Sequence, residues 1–259
     1  VTVGDALREG IENRLDDRLL QRCEEIPEDP PAGNYVVVDV IFFSTTVVEL
    51  LANGASRVHV TEERGNEFDY REDNPETRIG GERTDGFEPA EGYDFYNSPS
   101  YVQQLDLDGR PASFWSTNGG RALIRLRNQD RNDVHVYVGS TSNARALGEH
   151  LRETGRPTYL VSAGSKGDVA TEDLIGSTVI SRYLDGIPPA RAELELFRDQ
   201  VTYAKGAEYI DDHPIRRRDV CDYSADFNAR GVIPKLREES LIDLARDEPL
   251  AELQGAAAD

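Results

Sequence analysis

Four times along this chain a short apolar run gives way to a few Ser, Thr, Asn or Gly residues and then to a helical pattern. The polar stretches are residues 44–46, 116–119, 139–143 and 163–167. Strands that alternate with helices specify an α/β architecture with a largely parallel sheet covered on both faces. In such a sheet the junctions fall at the carboxyl ends of the strands, where open α/β folds bind ligands. Small hydroxyl residues and glycines there expose backbone N–H groups at positive helix ends, an arrangement suited to a phosphate, sulfonate or carboxylate. The same residues are favoured as plain helix caps, so for the four junctions together capping and anion binding weigh about equally.

The pattern predicts an amphipathic helix from Asp5 to Arg22, with Leu7, Ile11, Leu15 and Leu19 at four-residue spacing. Tyr35 to Val40 has the continuity of a strand buried on both faces. Ser44-Thr45-Thr46 is placed to cap a helix running to Asn53, which Gly54 stops. Further strands are expected at Val58–Val60, Ser113–Ser116, Val134–Val138 and Tyr159–Val161, and a helix at Thr171–Leu184. Residues 61–100 read as extended loops ending in a short helix, and the C-terminal quarter as mostly helical, with Arg216-Arg217-Arg218 and Cys221–Phe227 in loops. The whole is expected to be one α/β domain over 1–259, with 1–33 a helix and lead-in, 61–100 an elaboration and 255–259 a frayed tail.

No apolar run approaches the roughly 20 residues of a membrane helix, and the two cysteines, Cys23 and Cys221, make neither a disulfide framework nor a metal motif. The expectation is a cytoplasmic protein. Acids number 49 against 29 bases, for a formal net charge of −20, and only Lys166, Lys205 and Lys235 among the bases are lysines. Such a field repels nucleic acid and anionic membranes, so neither is an expected partner. It also suits a protein adapted to concentrated salt, which screens the self-repulsion. Lowering KCl from molar to millimolar, where the Debye length grows to about 30 Å at 0.01 M, is therefore expected to lower the melting temperature. A Tm unchanged across that range refutes the halophile reading.

GxxxxGK[ST], GxGxxG and GxSxG are all absent, and His59, His135, His150 and His213 lack metal-ligand spacing. The acids are more telling. Asp39 lies in an otherwise apolar strand pattern, where an ionised carboxylate is costly unless it is paired or binds a cation. Glu82 stands in Gly80-Gly81-Glu82-Arg83, and Glu172-Asp173 opens a helix beside the fourth junction. A hard cation such as Mg²⁺ uses one or two carboxylates, waters and substrate phosphate oxygens. Taken alone, Glu82 and Asp173 read as solvated acids.

Asp39-Val40-Ile41-Phe42-Phe43-Ser44-Thr45-Thr46, Gly81-Glu82-Arg83, Gly92 to Pro99, Thr117-Asn118-Gly119, Gly139 to Asn143 and Glu172-Asp173 occur in this order. The ordered set resembles the 2-phosphosulfolactate phosphatase family, from about Tyr35 to Leu184. The resemblance implies a three-layer α/β/α fold with a mostly parallel or mixed central sheet. It further implies Mg²⁺-dependent hydrolysis of the phosphate ester of 2-phospho-3-sulfolactate, a step of coenzyme M synthesis. Carried across, Asp39, Glu82 and Asp173 become the metal and acid–base candidates. Ser44, Thr45, Thr46, Asn97, Ser98, Thr117, Asn118 and Gly119 become candidates for holding a small anionic phosphate ester, joined by Ser140 and Asn143 at the third junction. The chain departs from the family at Phe42, where an arginine is usual, at Phe43, where a small residue is usual, and at Tyr96, where glycine is usual; Arg83 or Arg121 are the candidates to compensate. The departures keep open an altered substrate and a competing expectation: a relative that binds an anionic metabolite, or serves as an assembly subunit, without turnover. The oligomeric state, a homo-oligomer included, is left open.

Overall fold

The computed structural model describes residues 18–129 and 131–246. In chain order the first half comprises β1 (Leu19–Leu20), β2 (Gly33–Val38), α1 (Phe43–Ala52), β3 (Val58–Val60), α2 (Asn66–Asp73), β4 (Arg78–Gly81), β5 (Phe95–Tyr96), α3 (Pro99–Val102), β6 (Ala112–Phe114) and α4 (Gly119–Arg127). The second half comprises β7 (Val134–Gly139), α5 (Ala144–Thr154), β8 (Thr158–Ser162), α6 (Thr171–Leu184), α7 (Arg191–Thr202), α8 (Ala207–Asp211), α9 (Pro214–Arg218), β9 (Pro234–Arg237) and β10 (Ser240–Asp243).

The strands form one mixed sheet in the order β1-β8-β2-β7-β9-β10-β3-β6-β4-β5. All six residues of β2 are buried, as its unbroken apolar run demands. Strand alternation then sorts the core. Tyr35 and Val37 pack with Phe43, Val47 and Leu123 beneath α1 and α4. Val36 and Val38 pack with Leu147, Ile175, Val179 and Ile180 beneath α5 and α6. Two apolar layers on opposite faces of one sheet make the expected α/β/α sandwich. Among the described residues no helix is long and apolar enough to cross a membrane.

Several local expectations are corrected. Of the predicted helix at 5–22, residues 5–17 lie outside the described residues, as does the tail at 255–259. Leu19 and Leu20 are a strand instead, paired in parallel with Leu160 and Val161, because edge pairing that buries Leu20 outweighs the local period. Residues 61–100 are not simply loops: they supply α2, and β4 and β5 extend the sheet. Arg216–Arg218 belong to α9, and Asp219–Ser224 form a π-helical turn. The C-terminal quarter also carries the β9–β10 hairpin, which enters mid-sheet and pairs antiparallel to β7 and to β3. It divides the parallel strands into β1-β8-β2-β7 and β3-β6-β4-β5, so the sheet is mixed.

Candidate active site

Asp39 follows β2 rather than lying inside it, and the first junction is built around its backbone. Its N–H donates to Ser44 Oγ (2.8 Å), and its carbonyl accepts from the Ser44 N–H (2.8 Å). Thr45 Oγ1 donates to the Val40 carbonyl (2.8 Å) and is hydrogen-bonded to Ser140 Oγ (2.7 Å). The Ser-Thr-Thr run therefore shapes the turn from within α1, whose N-cap is Phe42. The Asp39 side chain points the other way. Its Oδ2 accepts from the Gly119 N–H (2.9 Å), at the start of α4. A Cβ on Gly119 would stand 2.2 Å from Phe43 Cδ1 and 2.9 Å from Asp39 Cβ, so only glycine allows this approach. Burial pushes the Asp39 carboxyl up to about 6, with the Gly119 N–H pulling down and Glu172 adding to the rise.

A second buried carboxyl lies behind it. Asp173 Oδ1 accepts from the Val40 N–H (2.9 Å) and Oδ2 from the Gly164 N–H (3.0 Å), which ties the β2 and β8 junctions together. Burial, then Asp39 and Glu172, hold Asp173 well above the usual carboxylate range. Glu172 is itself paired with Lys205 at 2.6 Å.

Asp39 opens into a cleft of about 500 Å³ whose opposite wall comes from the segments after β3, β4, β5 and β6. Glu82 there is ion-paired with Arg64, whose guanidinium lies 4.7 Å from the Trp115 ring centroid. Arg83 stacks on Phe87 at 3.9 Å and donates to the Thr84 carbonyl. Asn97 Oδ1 is buried with no hydrogen-bond partner. Phe42 faces the cleft, backed by Tyr209 with ring centroids 6.5 Å apart.

Of the sequence-predicted residues, Asp39, Glu82, Arg83, Asn97, Thr117 and Asn118 meet in this cleft, and Gly119 contributes its N–H to Asp39. The structure does not bring the other side chains there. Asp173 spends both oxygens on backbone amides. Ser44, Thr45 and Thr46 are wholly buried in the first turn of α1. Ser140 and Asn143 cap one another: the Ser140 N–H donates to Asn143 Oδ1 (2.8 Å), and Asn143 Nδ2 reaches the Val232 carbonyl (3.0 Å). Ser98 caps α3 and donates to Asp219, which also accepts the Ser100 N–H (2.8 Å). Arg121 pairs with Glu24 at 2.5 Å, away from the cleft. At strand ends, short polar side chains are consumed by the backbone they turn. Arg64, Asp85 and Trp115 line the cleft without having been singled out. The sequence signal for Arg64 is its place just past the carboxyl end of the strand expected at Val58–Val60.

The sequence model of the family described as 2-phosphosulpholactate phosphatase matches residues 20–213. The chain belongs to this family. Among relatives, it is 34% identical over 163 residues to a probable 2-phosphosulfolactate phosphatase of Symbiobacterium thermophilum, covering 62% of this chain and 67% of that protein. A protein of the same name from Deinococcus radiodurans is 31% identical over 164 residues, covering 63% and 66%. One from Caldanaerobacter subterraneus is 28% identical over 156 residues, covering 60% and 62%. The match thus spans about two thirds of these relatives' length. For this 2-phosphosulpholactate phosphatase family member, the matched stretch contains every cleft residue named above.

Proposed function

We propose that this family member is a phosphoric monoester hydrolase acting with Mg²⁺ on a small acidic phosphate ester, 2-phosphosulfolactate or a related compound. The placement of Asp39 carries the reading. Only 6% of the residue is exposed, at the edge of a polar cleft, and its carboxylate is fixed by the amide that opens α4. A carboxyl raised to about 6 sits within reach of neutral pH, where a group at a reacting centre must change state. Thr117 and Asn118, on the turn into α4, and the Arg83 guanidinium are the groups assigned to the phosphoryl oxygens.

The oxygens at hand suit a hard cation. Asp39, Glu82 and Asn97 Oδ1 border the cleft, and the Asn97 oxygen is a buried acceptor without a donor. Among the described residues no three acidic, His or Cys side chains are close enough to hold a metal by themselves. Mg²⁺ asks for less: one or two carboxylates, with water and substrate phosphate completing its shell. Bound there, the ion supplies neutralisation of the phosphoryl oxygens and orientation of the ester. Asp173 then acts as a positioning residue, fixing the backbone on either side of the site through Val40 and Gly164.

Phosphate release from small phosphate esters, with Mg²⁺ in molar salt, tests the reading. Binding of an anionic metabolite without any phosphate release would favour the non-catalytic alternative. Mg²⁺ is also expected to raise the melting temperature, because it binds the folded state preferentially. Asp39→Asn should abolish that rise and Glu82→Gln should reduce it. The same Mg²⁺ response in wild type and both variants removes these residues from the metal site.

A further inference from the structure

We propose that the ester this cleft selects carries, in place of a sulfonate, an apolar, planar group that rests on the rings of Phe42 and Trp115. The proposal rests on the reading of the cleft as a phosphomonoester site and concerns what fills the remainder of it. Three observations point the same way. First, the cleft of about 500 Å³ falls within the range that takes drug-sized ligands, roughly 300–1,000 Å³, and is ample for a three-carbon acid. Second, its apolar surface is placed and fixed. Phe42 stands at the turn three residues from Asp39 and rests on Tyr209, which is covered on its own account by Arg216 at 4.3 Å. Trp115 rests under Arg64 on the opposite wall. Rings already held in place lose little freedom when a ligand stacks on them.

Third, the lining leaves no guanidinium free to pair with a sulfonate. Its guanidiniums are Arg64 and Arg83, while two of its carboxylates, Asp39 and Glu82, are the ones proposed to hold Mg²⁺. Arg64 is paired with Glu82, and Arg83 is the guanidinium assigned to the phosphoryl oxygens, so neither is left for a sulfonate. A sulfonate or carboxylate next to Phe42 would lose its hydration and gain an aromatic face, whose negative quadrupole repels it. A phenyl or comparable group gains the same contact at no such cost.

Three esters with one leaving group separate the effects: 2-phospholactate with hydrogen, phenyl or sulfonate on its third carbon. Because each releases a secondary alkoxide, differences in kcat/KM report mainly the substituent. The phenyl ester is expected to exceed the sulfonate ester at least tenfold. Phe42→Arg should shrink that ratio at least tenfold, and Phe42→Leu and Trp115→Leu, which replace each ring with an aliphatic group, should each shrink it about threefold. A ratio of one or less in the wild type, or a ratio untouched by all three substitutions, overturns the proposal. Calorimetric titration of the three esters into Asp39→Asn protein makes the question independent of turnover. Tighter binding of the phenyl ester supports the substrate class even if no ester is hydrolysed, in which case the hydrolase reading alone fails. Equal binding, or tighter binding of the sulfonate, overturns it.

Discussion

Asp39→Asn is expected to cut phosphate release by about 10²–10⁴-fold, the range for losing a positioned acid–base group, and at the same time to raise the melting temperature at pH 8. The two changes have one cause. Burial places the Asp39 carboxyl at about 6 in the folded protein against an ordinary 3.8, so the folded state binds this proton more tightly than the unfolded chain does. The stabilisation that comes with that proton is complete below about pH 4, falls as pH climbs toward 6 and is absent above it. A displacement of this size corresponds to roughly 3 kcal/mol at neutral pH. Asparagine keeps an acceptor for the Gly119 N–H and discards the charge, so a gain of about 1–3 kcal/mol is expected, or about 2–6 °C in Tm for a chain of this size. Calorimetric scans with chelator at pH 4 and pH 8 check the sign: the variant should match wild type at the lower pH and exceed it at the higher. A variant that is less stable at pH 8 would mean that the carboxylate holds the fold together, against the assignment made here.

Gly119→Ala should lose activity as well, with stability moving in the opposite direction. The added methyl would meet Phe43 Cδ1 at 2.2 Å, and Phe43 is fully buried against Phe114, with ring centroids 5.6 Å apart. Neither ring has room to withdraw, so the start of α4 must shift and draw its amide off Asp39. Overpacking of this kind costs about 1–3 kcal/mol, and a displacement near 1 Å at a reacting group costs about 10²-fold in rate. Urea denaturation and steady-state kinetics on the same preparation read both effects. Wild-type kcat in a folded Gly119→Ala protein would sever the α4 amide from the chemistry.

What the sequence disclosed follows from how locally each feature is determined. β2 declared itself because a strand buried on both faces needs an uninterrupted apolar run, and Asp39 was visible as the acid that ends it. The β9–β10 hairpin did not. Only β10 alternates, with Leu241 and Asp243 buried and Ser240 and Ile242 half-buried, and the turn is Glu238-Glu239, with Glu238 at φ 53°, in place of the glycine or asparagine that usually marks such a turn. The hydroxyls of Ser44, Thr45 and Ser140 were legible as junction residues, yet nothing local distinguishes a hydroxyl that bonds its own backbone from one that awaits a ligand. Asp173 was recognisable as an acid opening a helix. Its partners, the amides of Val40 and Gly164, depend on strands brought together from distant parts of the chain. The Arg64–Glu82 pair joins loops after β3 and β4, strands separated in the sheet by β6, and is a product of tertiary structure alone.

The mid-sheet hairpin has a consequence for how the molecule comes into being. Every strand of both parallel sets precedes β9 and β10 in the chain, so on the ribosome each set can begin to pair before the piece that joins them has been made. The sheet closes only when contacts such as His59 Nδ1 with the Glu239 carbonyl, 180 residues apart, are formed. Closure over so long a separation is entropically slow and leaves the inner edges of β7 and β3 exposed in the meantime. Asp39 lies at the end of one set and Glu82, Asn97 and Trp115 at the ends of the other. Competence for chemistry should therefore appear late, when the final strands join the two parallel sets.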